Sequence, residues 1–367
     1  MSSEDIKEEI EGLSTDEDAS LGDYPIDTLL IRNESRTVFD VVRRIEKGGF
    51  IMDPDFQRDF VWDEDKQSKL IESVLMRIPL PVFYLGENEK GQMIVVDGLQ
   101  RLTTFKRFID NDFRLKLPKQ DKLDKKLFKE LSPKLQNRIE DCNLILYVID
   151  AKVPERARLD IFERVNSGEP LTRQQMRNCL YNGQATQFLK KEAETEIFKE
   201  VTGNSLKPKT MRDRECINRF CAFYLLPLYN DKNEQNYKGD MDEWLAEALR
   251  KMNKLTNKEL ENLSNCFQNT LQNNYSLFGN RAFRKHTPEQ NWRGFLNVAL
   301  WDVMTVGLAN YSNEQVKLHA EEIKKGFYGI LNDKNFNDSI TLGTNSSRSV
   351  NYRFKAIQNM FQEVFNA

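Results

Sequence analysis

The sequence predicts an α+β protein, with a small mixed α/β domain in front and an all-helical domain behind, and three observations carry that prediction. Short apolar runs of strand character, at 82–85, 93–96 and 144–149, fall only in the first 150 residues, with amphipathic stretches between them. From residue 172 onward apolar positions recur at helical spacing, and no strand-length run of consequence interrupts them. A chain of 367 residues is long enough for one large or two medium domains, each able to bury a core. The expected organisation is an acidic tail at 1–24, a mixed α/β domain at 25–180 and a helical domain at 181–367.

Each element has a local reason. Residues 1–24 hold nine acidic side chains and one lysine, about −8, so the remainder of a chain of formal charge −3 is near +5 (−3 minus −8). With no periodic apolar positions, that opening reads as a disordered acidic tail serving solubility. Val38, Val41, Val42 and Ile45 mark a helix over 37–47, stopped by Gly48-Gly49. An extended, aromatic-rich stretch follows at 50–62. Asp63 then caps a helix whose Leu70, Ile71, Val74 and Leu75 face a core, and Pro79 and Pro81 end it. The strands at 82–85 and 93–96 join through a hairpin-like connection at 86–91 and lead into a helix at 101–110. A solvated lysine-rich stretch at 116–129 precedes the strand at 144–149, and Pro154 opens a helix with Leu159, Ile161, Phe162 and Val165. Thr172 caps the next one. Further helices are expected over 211–226, 241–252, 257–278, 290–308, 313–331 and 350–365.

Composition excludes several classes. A net charge of −3 argues against a strongly basic nucleic-acid binder. Five scattered cysteines, odd in number and set in apolar patterns, read as buried free thiols rather than disulfides or a zinc site. Only His286 and His319 are available, too few for a histidine-rich metal centre. No signal peptide opens the sequence and no apolar run approaches the roughly 18 residues that span a bilayer, so a cytoplasmic protein without membrane contact is expected.

The chemistry concentrates at Asp97-Gly98-Leu99-Gln100-Arg101, a strand-to-helix turn. A helix start leaves backbone N–H groups unpaired and carries partial positive charge, and glycine lets a ligand approach the main chain. Arg101 can fork two hydrogen bonds to phosphate, and Asp97 can hold a metal. The same Asp-Gly pair also suits a hairpin turn. In the first helical turn, the hydroxyls of Thr103 and Thr104 either touch phosphate or bond the local backbone. Trp62 is a core aromatic or a base-stacking surface. Arg173 and Arg177, four apart on one helix, read as a surface pair. The clusters at 280–286 and around Arg348, Arg353 and Lys355 suit nucleic-acid backbone contact or an ordinary solvated helix end, with surface preferred.

Three segments stand together: F-Q-R-D-F-V-W-D at 56–63, V-D-G-L-Q-R-L-T-T-F at 96–105 and I-F-E-R-V-N-S-G-E-P-L-T at 161–172. In this order, with K-Q-S-K-L-I-E-S and I-P-L-P between the first two, they resemble the N-terminal domain of the GmrSD-type restriction endonucleases, a branch of the ParB/sulfiredoxin superfamily. The resemblance covers about residues 25–230. Family members commonly carry D-G-Q-Q-R, and here Leu99 stands in place of the first glutamine.

That resemblance implies a ParB/sulfiredoxin-like nucleotide-binding domain whose D-G-x-Q-R turn grips the phosphates of a nucleoside triphosphate and supports its hydrolysis. Phosphoryl transfer needs charge neutralisation and positioning more than a nucleophilic side chain. Arg101 then supplies charge, Asp97 is a Mg2+ ligand and Gln100 orients water. Gln57, Arg58 and Asp59 read as pocket residues, or as a strand edge with an Arg–Asp pair. The E-R-x-N-x-G pattern assigns Glu163, Asn166 and Gly168 to metal and triphosphate contacts, with Glu163 or Asn166 completing a magnesium shell; a helix C-cap explains them equally. Many relatives append a histidine–asparagine nuclease domain, whereas His286 offers a single histidine, so DNA cutting is expected to need a partner nuclease. The leading expectation is therefore an NTP-dependent component of a prokaryotic restriction or phage-defence system that gates DNA binding or a partner nuclease. The alternatives are a non-catalytic nucleotide sensor or DNA-binding adaptor, and a stand-alone DNA endonuclease. The apolar helices at 290–308 and 313–331 also suit a homodimer surface.

Overall fold

The computed structural model describes residues 10–11, 31–52, 62–88, 90–165, 172–229, 235–290 and 292–365. The protein is α+β, with a sheet-bearing unit of Leu21–Leu180 and a helical unit of Tyr181–Ala367 that also takes in Met1–Ser20. The chain's opening strand, β1 (Ile10–Glu11), belongs to the helical unit.

In the sheet unit the order is β2 (Ile31–Thr37), α1 (Val38–Glu46), β3 (Phe50–Ile51), α2 (Glu64–Leu75), β4 (Phe83–Glu87), β5 (Met93–Asp97), α3 (Leu99–Ile109), α4 (Pro133–Glu140), β6 (Asn143–Ile149), α5 (Glu155–Val165) and α6 (Arg173–Leu180). Five strands form one mixed sheet in the order β2-β6-β4-β5-β3. β4 and β5 are the antiparallel hairpin, while β4 runs parallel to β6 and β3 parallel to β5. Strand alternation sends Phe83, Leu85, Val95, Leu144, Leu146 and Val148 to one face, where Val41 of α1, Ile71 and Val74 of α2, and Leu102, Phe105 and Phe108 of α3 cover them. Each such side chain contributes about 1.5–3 kcal/mol on burial. On the other face α5 lies against β4, so closely that a Cβ at Gly86 would sit 2.6 Å from Phe162 Cζ.

Caps fall where the sequence places them. Thr37 accepts from Asp40 N and Asp63 from Lys66 N, at 3.2 and 2.8 Å. The strand β2 was not expected, because it reads Ile-Arg-Asn-Glu-Ser-Arg-Thr, with charged residues where a core strand is apolar. It is an edge strand whose half-buried positions are ion-paired: Arg32 with Glu34 of the same strand at 2.9 Å and with Glu87 of β4 at 2.8 Å, and Arg36 with Asp40 of α1 at 3.0 Å.

The helical unit comprises α7 (Gln184–Ala193), α8 (Glu196–Thr202), α9 (Arg212–Leu225), α10 (Met241–Met252), α11 (Asn257–Phe278), β7 (Leu296–Asn297), α12 (Val298–Gly307), α13 (Asn313–Leu318), α14 (Ala320–Leu331), α15 (Lys334–Ser339) and α16 (Ser347–Phe365). Ala222, Phe223, Tyr237, Leu245, Ala248 and Val350 form one of its cores. Nearly all of α12 is buried, Trp301 completely.

Three expectations change here. The helix expected at 290–308 begins only at Val298, where Asn297 Oδ1 accepts from Leu300 N at 2.9 Å; before it, Arg281 and Arg284 hold the carbonyls of Gln290 and Gly294 in an irregular loop. The helix expected at 313–331 is two, because the backbone leaves helical geometry at His319 and Ser312 and His319 each start one. Within the expected acidic tail, Ile10 and Glu11 pair in parallel with Leu296 and Asn297, since Glu11 finds Lys285 at 2.6 Å. Residues 1–9 and 12–24 lie outside the described residues. All five cysteines are free thiols. Among the described residues, no helix is long and apolar enough to cross a membrane.

Candidate functional site

The turn between β5 and α3 is built around Gly98. Its backbone is left-handed, φ 104°, and a Cβ there would fall 2.3 Å from Phe83 Cδ1, so only glycine fits. Asp97-Gly98 is therefore a helix start here and no hairpin turn. No side chain caps α3, and its first intrahelical bond runs from Leu102 N to Gly98 O at 2.9 Å. The N–H groups of Leu99, Gln100 and Arg101 precede that bond, and they are the donors a phosphate would meet.

Arg101 points inward. Its Nη1 donates to Pro81 O, its Nη2 donates to Val82 O at 3.1 Å and to Asp97 Oδ2 at 2.9 Å, and its guanidinium lies over the Phe83 ring at 4.1 Å. Burial lowers its pKa and Asp97 opposes that shift. The fork expected to face phosphate thus holds main-chain carbonyls and clasps the turn from within. Asp97 is the more open partner, 31% exposed, and among the described residues its Oδ1 makes no hydrogen bond. Gln100 Oε1 accepts from Trp62 N at 3.4 Å, tying the start of α2 to the start of α3. Trp62 packs against the sheet-unit core. Thr104 is fully buried and its hydroxyl donates to Gln100 O at 2.7 Å, the local backbone bond that was one of its two readings. Thr103 is half-buried on the same turn.

The remaining expected residues divide. Gln57, Arg58, Asp59, Asn166 and Gly168 lie outside the described residues. Glu163 is described, 3.5 Å from Arg173, whose Nη2 also donates to Asp160 at 2.8 Å. Among the described residues no three His, Cys, Asp or Glu side chains group to hold a metal. The direction of α5 nevertheless relates its end to the turn. Arg158 Nη2 donates to Glu87 O at 3.1 Å, and one turn later Phe162 covers Gly86, so α5 runs antiparallel to β4, toward Tyr84. Tyr84 is the register partner of Asp97.

Residues 38–182 match the family model of the GmrSD restriction endonuclease, N-terminal domain. This stretch is a GmrSD-type N-terminal domain. No curated protein and no solved structure matches the chain. The GmrSD domain contains the whole Asp97–Arg101 turn, α5 and α6, and the match ends at the start of the helical unit.

Inside the GmrSD domain the sequence pointed to Asp97, Gly98 and Arg101 but missed Phe83, whose ring both fills the space over Gly98 and underlies Arg101. An aromatic at the start of a core strand gives no sign of that double contact. Several arginines expected at the surface are interior. Arg177 is 1% exposed and donates from Nε to Gln174 Oε1 at 3.1 Å, Arg173 is ion-paired, and in the helical unit Arg284 and Arg353 are fully buried on carbonyls and, for Arg353, on Asp302. His286 is also buried, with Nδ1 at 2.8 Å from Arg284 O.

Proposed function

We propose that the GmrSD-type domain binds the phosphates of a nucleoside triphosphate at the Gly98 turn, and that binding and hydrolysis gate DNA engagement or a partner nuclease in a prokaryotic restriction or phage-defence system. The observation that supports this best is the uncapped start of α3 behind a glycine held in left-handed geometry, with a half-exposed carboxylate beside it. Backbone donors there can approach an anion closely, and the helix dipole favours negative charge.

Mg2+ suits such a site through one carboxylate plus the oxygens of the triphosphate. Asp97 is the described residue that would hold it, and the ion would neutralise charge on the phosphates. The chain's own residues divide the rest. The N–H groups of Leu99, Gln100 and Arg101 bind phosphate oxygens, the half-buried Thr103 offers a hydroxyl, and Gln100 orients water. Arg101 keeps Asp97 aimed from beneath.

A second reading, a nucleotide sensor with little turnover, is favoured by two observations. Arg101 is occupied by carbonyls, and Leu99 packs against the core where relatives place a glutamine. Phosphate release from each of the four ribonucleoside triphosphates with magnesium, with and without DNA, separates the readings. Turnover by the wild type that Asp97→Asn abolishes supports the hydrolase. Binding without turnover, with turnover gained in Leu99→Gln, supports the sensor. Absence of both binding and turnover overturns the nucleotide assignment.

A further inference from the structure

The loop at 281–295 in the helical unit is basic and aromatic at once. Trp292 and Phe295 are 67% and 58% exposed, unusual for side chains of that size. Arg281, Lys285 and Arg293 are half-buried and stand against one acid, Glu289, while the fully buried Arg284 holds the loop together from within. Arg284 Nη2 donates to Thr202 O at 2.6 Å and Arg293 Nη1 to Gly203 O at 3.0 Å, which fastens the loop beside the segment bearing Lys207 and Lys209. A cationic loop with two exposed rings has the components of a single-strand binding surface: charge for the backbone and faces on which bases stack.

An acidic segment already lies on its edge. Ile10 and Glu11 add to β7 as a parallel strand. Glu11 Oε1 accepts from Lys285 Nζ at 2.6 Å and Oε2 from Asn297 Nδ2 at 3.1 Å. Glu4, Asp5, Glu8 and Glu9 precede Glu11, and Asp16, Glu17 and Asp18 follow it. The hold is weak by design of its parts. The ion pair is 29% and 34% exposed, so salt screens it, and a strand of two residues adds little.

We propose that the 281–295 loop binds single-stranded nucleic acid, and that the acidic segment around Ile10-Glu11 is an intramolecular competitor that occupies the Lys285 edge of the surface. The segment carries the charge of the ligand it excludes and holds the lysine that ligand would use. An acidic polypeptide partner would leave Trp292 and Phe295 without a stacking counterpart, so nucleic acid fits the surface better. This surface is separate from the Gly98 turn and needs no nucleotide to be tested.

The test is fluorescence anisotropy of the full chain with a labelled single-stranded DNA of about 20 nucleotides at low salt. Glu11→Gln is expected to tighten binding about fivefold when Lys285 is present and less than about twofold in a Lys285→Gln background. Trp292→Ala, at an exposed position, is expected to weaken binding about tenfold with an unchanged melting temperature. Equal tightening by Glu11→Gln in both backgrounds overturns the competitor, because it reports only net charge. No measurable DNA binding by Glu11→Gln overturns the surface. Competition by polyglutamate as effective as by unlabelled DNA of equal charge overturns the assignment to nucleic acid.

Discussion

Arg101 reaches back one helical turn to Asp97, Nη2 to Oδ2 at 2.9 Å, and the same guanidinium holds the carbonyls of Pro81 and Val82. One side chain thereby joins the end of β5, the start of α3 and the approach to β4. Arg101→Ala removes those bonds and the packing on Phe83, and is expected to destabilise the sheet unit by about 2 kcal/mol, read as a shift in urea midpoint. Arg101→Lys is expected to recover little, because an ammonium cannot reproduce a planar fork across three acceptors. Full recovery by lysine would mean that only the charge beside Asp97 matters.

Gly98 carries a separate prediction. Any Cβ there meets the Phe83 ring at 2.3 Å, and the backbone holds φ 104°. Gly98→Ala is expected to cost about 3 kcal/mol, combining strain and clash, and to lower the melting temperature of the sheet unit by roughly 6–12 °C. Adding Phe83→Leu relieves the clash and leaves the strain, so the double variant is expected to regain only part of the loss. If the double variant melts no higher than Gly98→Ala, the clash is not the cause.

These two residues also show what the sequence could and could not reveal. The strand-to-helix turn at Asp97-Gly98 was legible because an apolar run ends there and a helical spacing begins, and the β4–β5 hairpin and the caps at Thr37, Asp63 and Thr172 follow from local chemistry. The direction of the Arg101 side chain was not legible, since its carbonyl acceptors lie 20 and 19 positions earlier in the chain, at Pro81 and Val82, and carry no residue signature. The same blindness explains Arg177, Arg284 and Arg353, because an arginine buried on carbonyls has the same letter as one in water. β2 was missed because ion pairs do for its inward positions what apolar packing does in β4 and β6.

His286 links stability to pH. Burial lowers its pKa from the ordinary 6.5, outweighing the carbonyl of Arg284, so the folded chain binds its proton later than the unfolded chain does. In that window the unfolded state holds more protons, and stability rises with pH. The helical unit is therefore expected to lose stability as pH falls below the unfolded value of about 6.5, until the folded-state pKa is also passed. His286→Gln is expected to flatten this dependence when urea midpoints at pH 5.5 and 7.5 are compared, using about those two conditions. An unchanged slope in the variant would assign the dependence to other groups.

Asp302 is held between two buried arginines. Arg219 Nε and Nη2 donate to its two oxygens at 2.8 and 2.6 Å, and Arg353 Nη2 donates to Oδ2 at 2.8 Å. All three side chains are at most 1% exposed, so among them two positive charges face one negative charge. Arg353 also donates to Thr344 O and Arg219 to Asn345 Oδ1 at 3.3 Å, and the buried Glu215 carboxylate acts on Arg219 as well, so neutral acceptors and a second negative charge offset the surplus. Removing the carboxylate leaves two buried cations unpaired, so Asp302→Asn is expected to cost about 4 kcal/mol. Arg353→Met takes away the surplus charge and keeps the Arg219–Asp302 pair, and is expected to cost less than about half as much, chiefly through the carbonyl of Thr344. Urea unfolding of both variants decides the matter: if Arg353→Met proves the more damaging, the network is held by shape around Thr344 rather than by charge on Asp302.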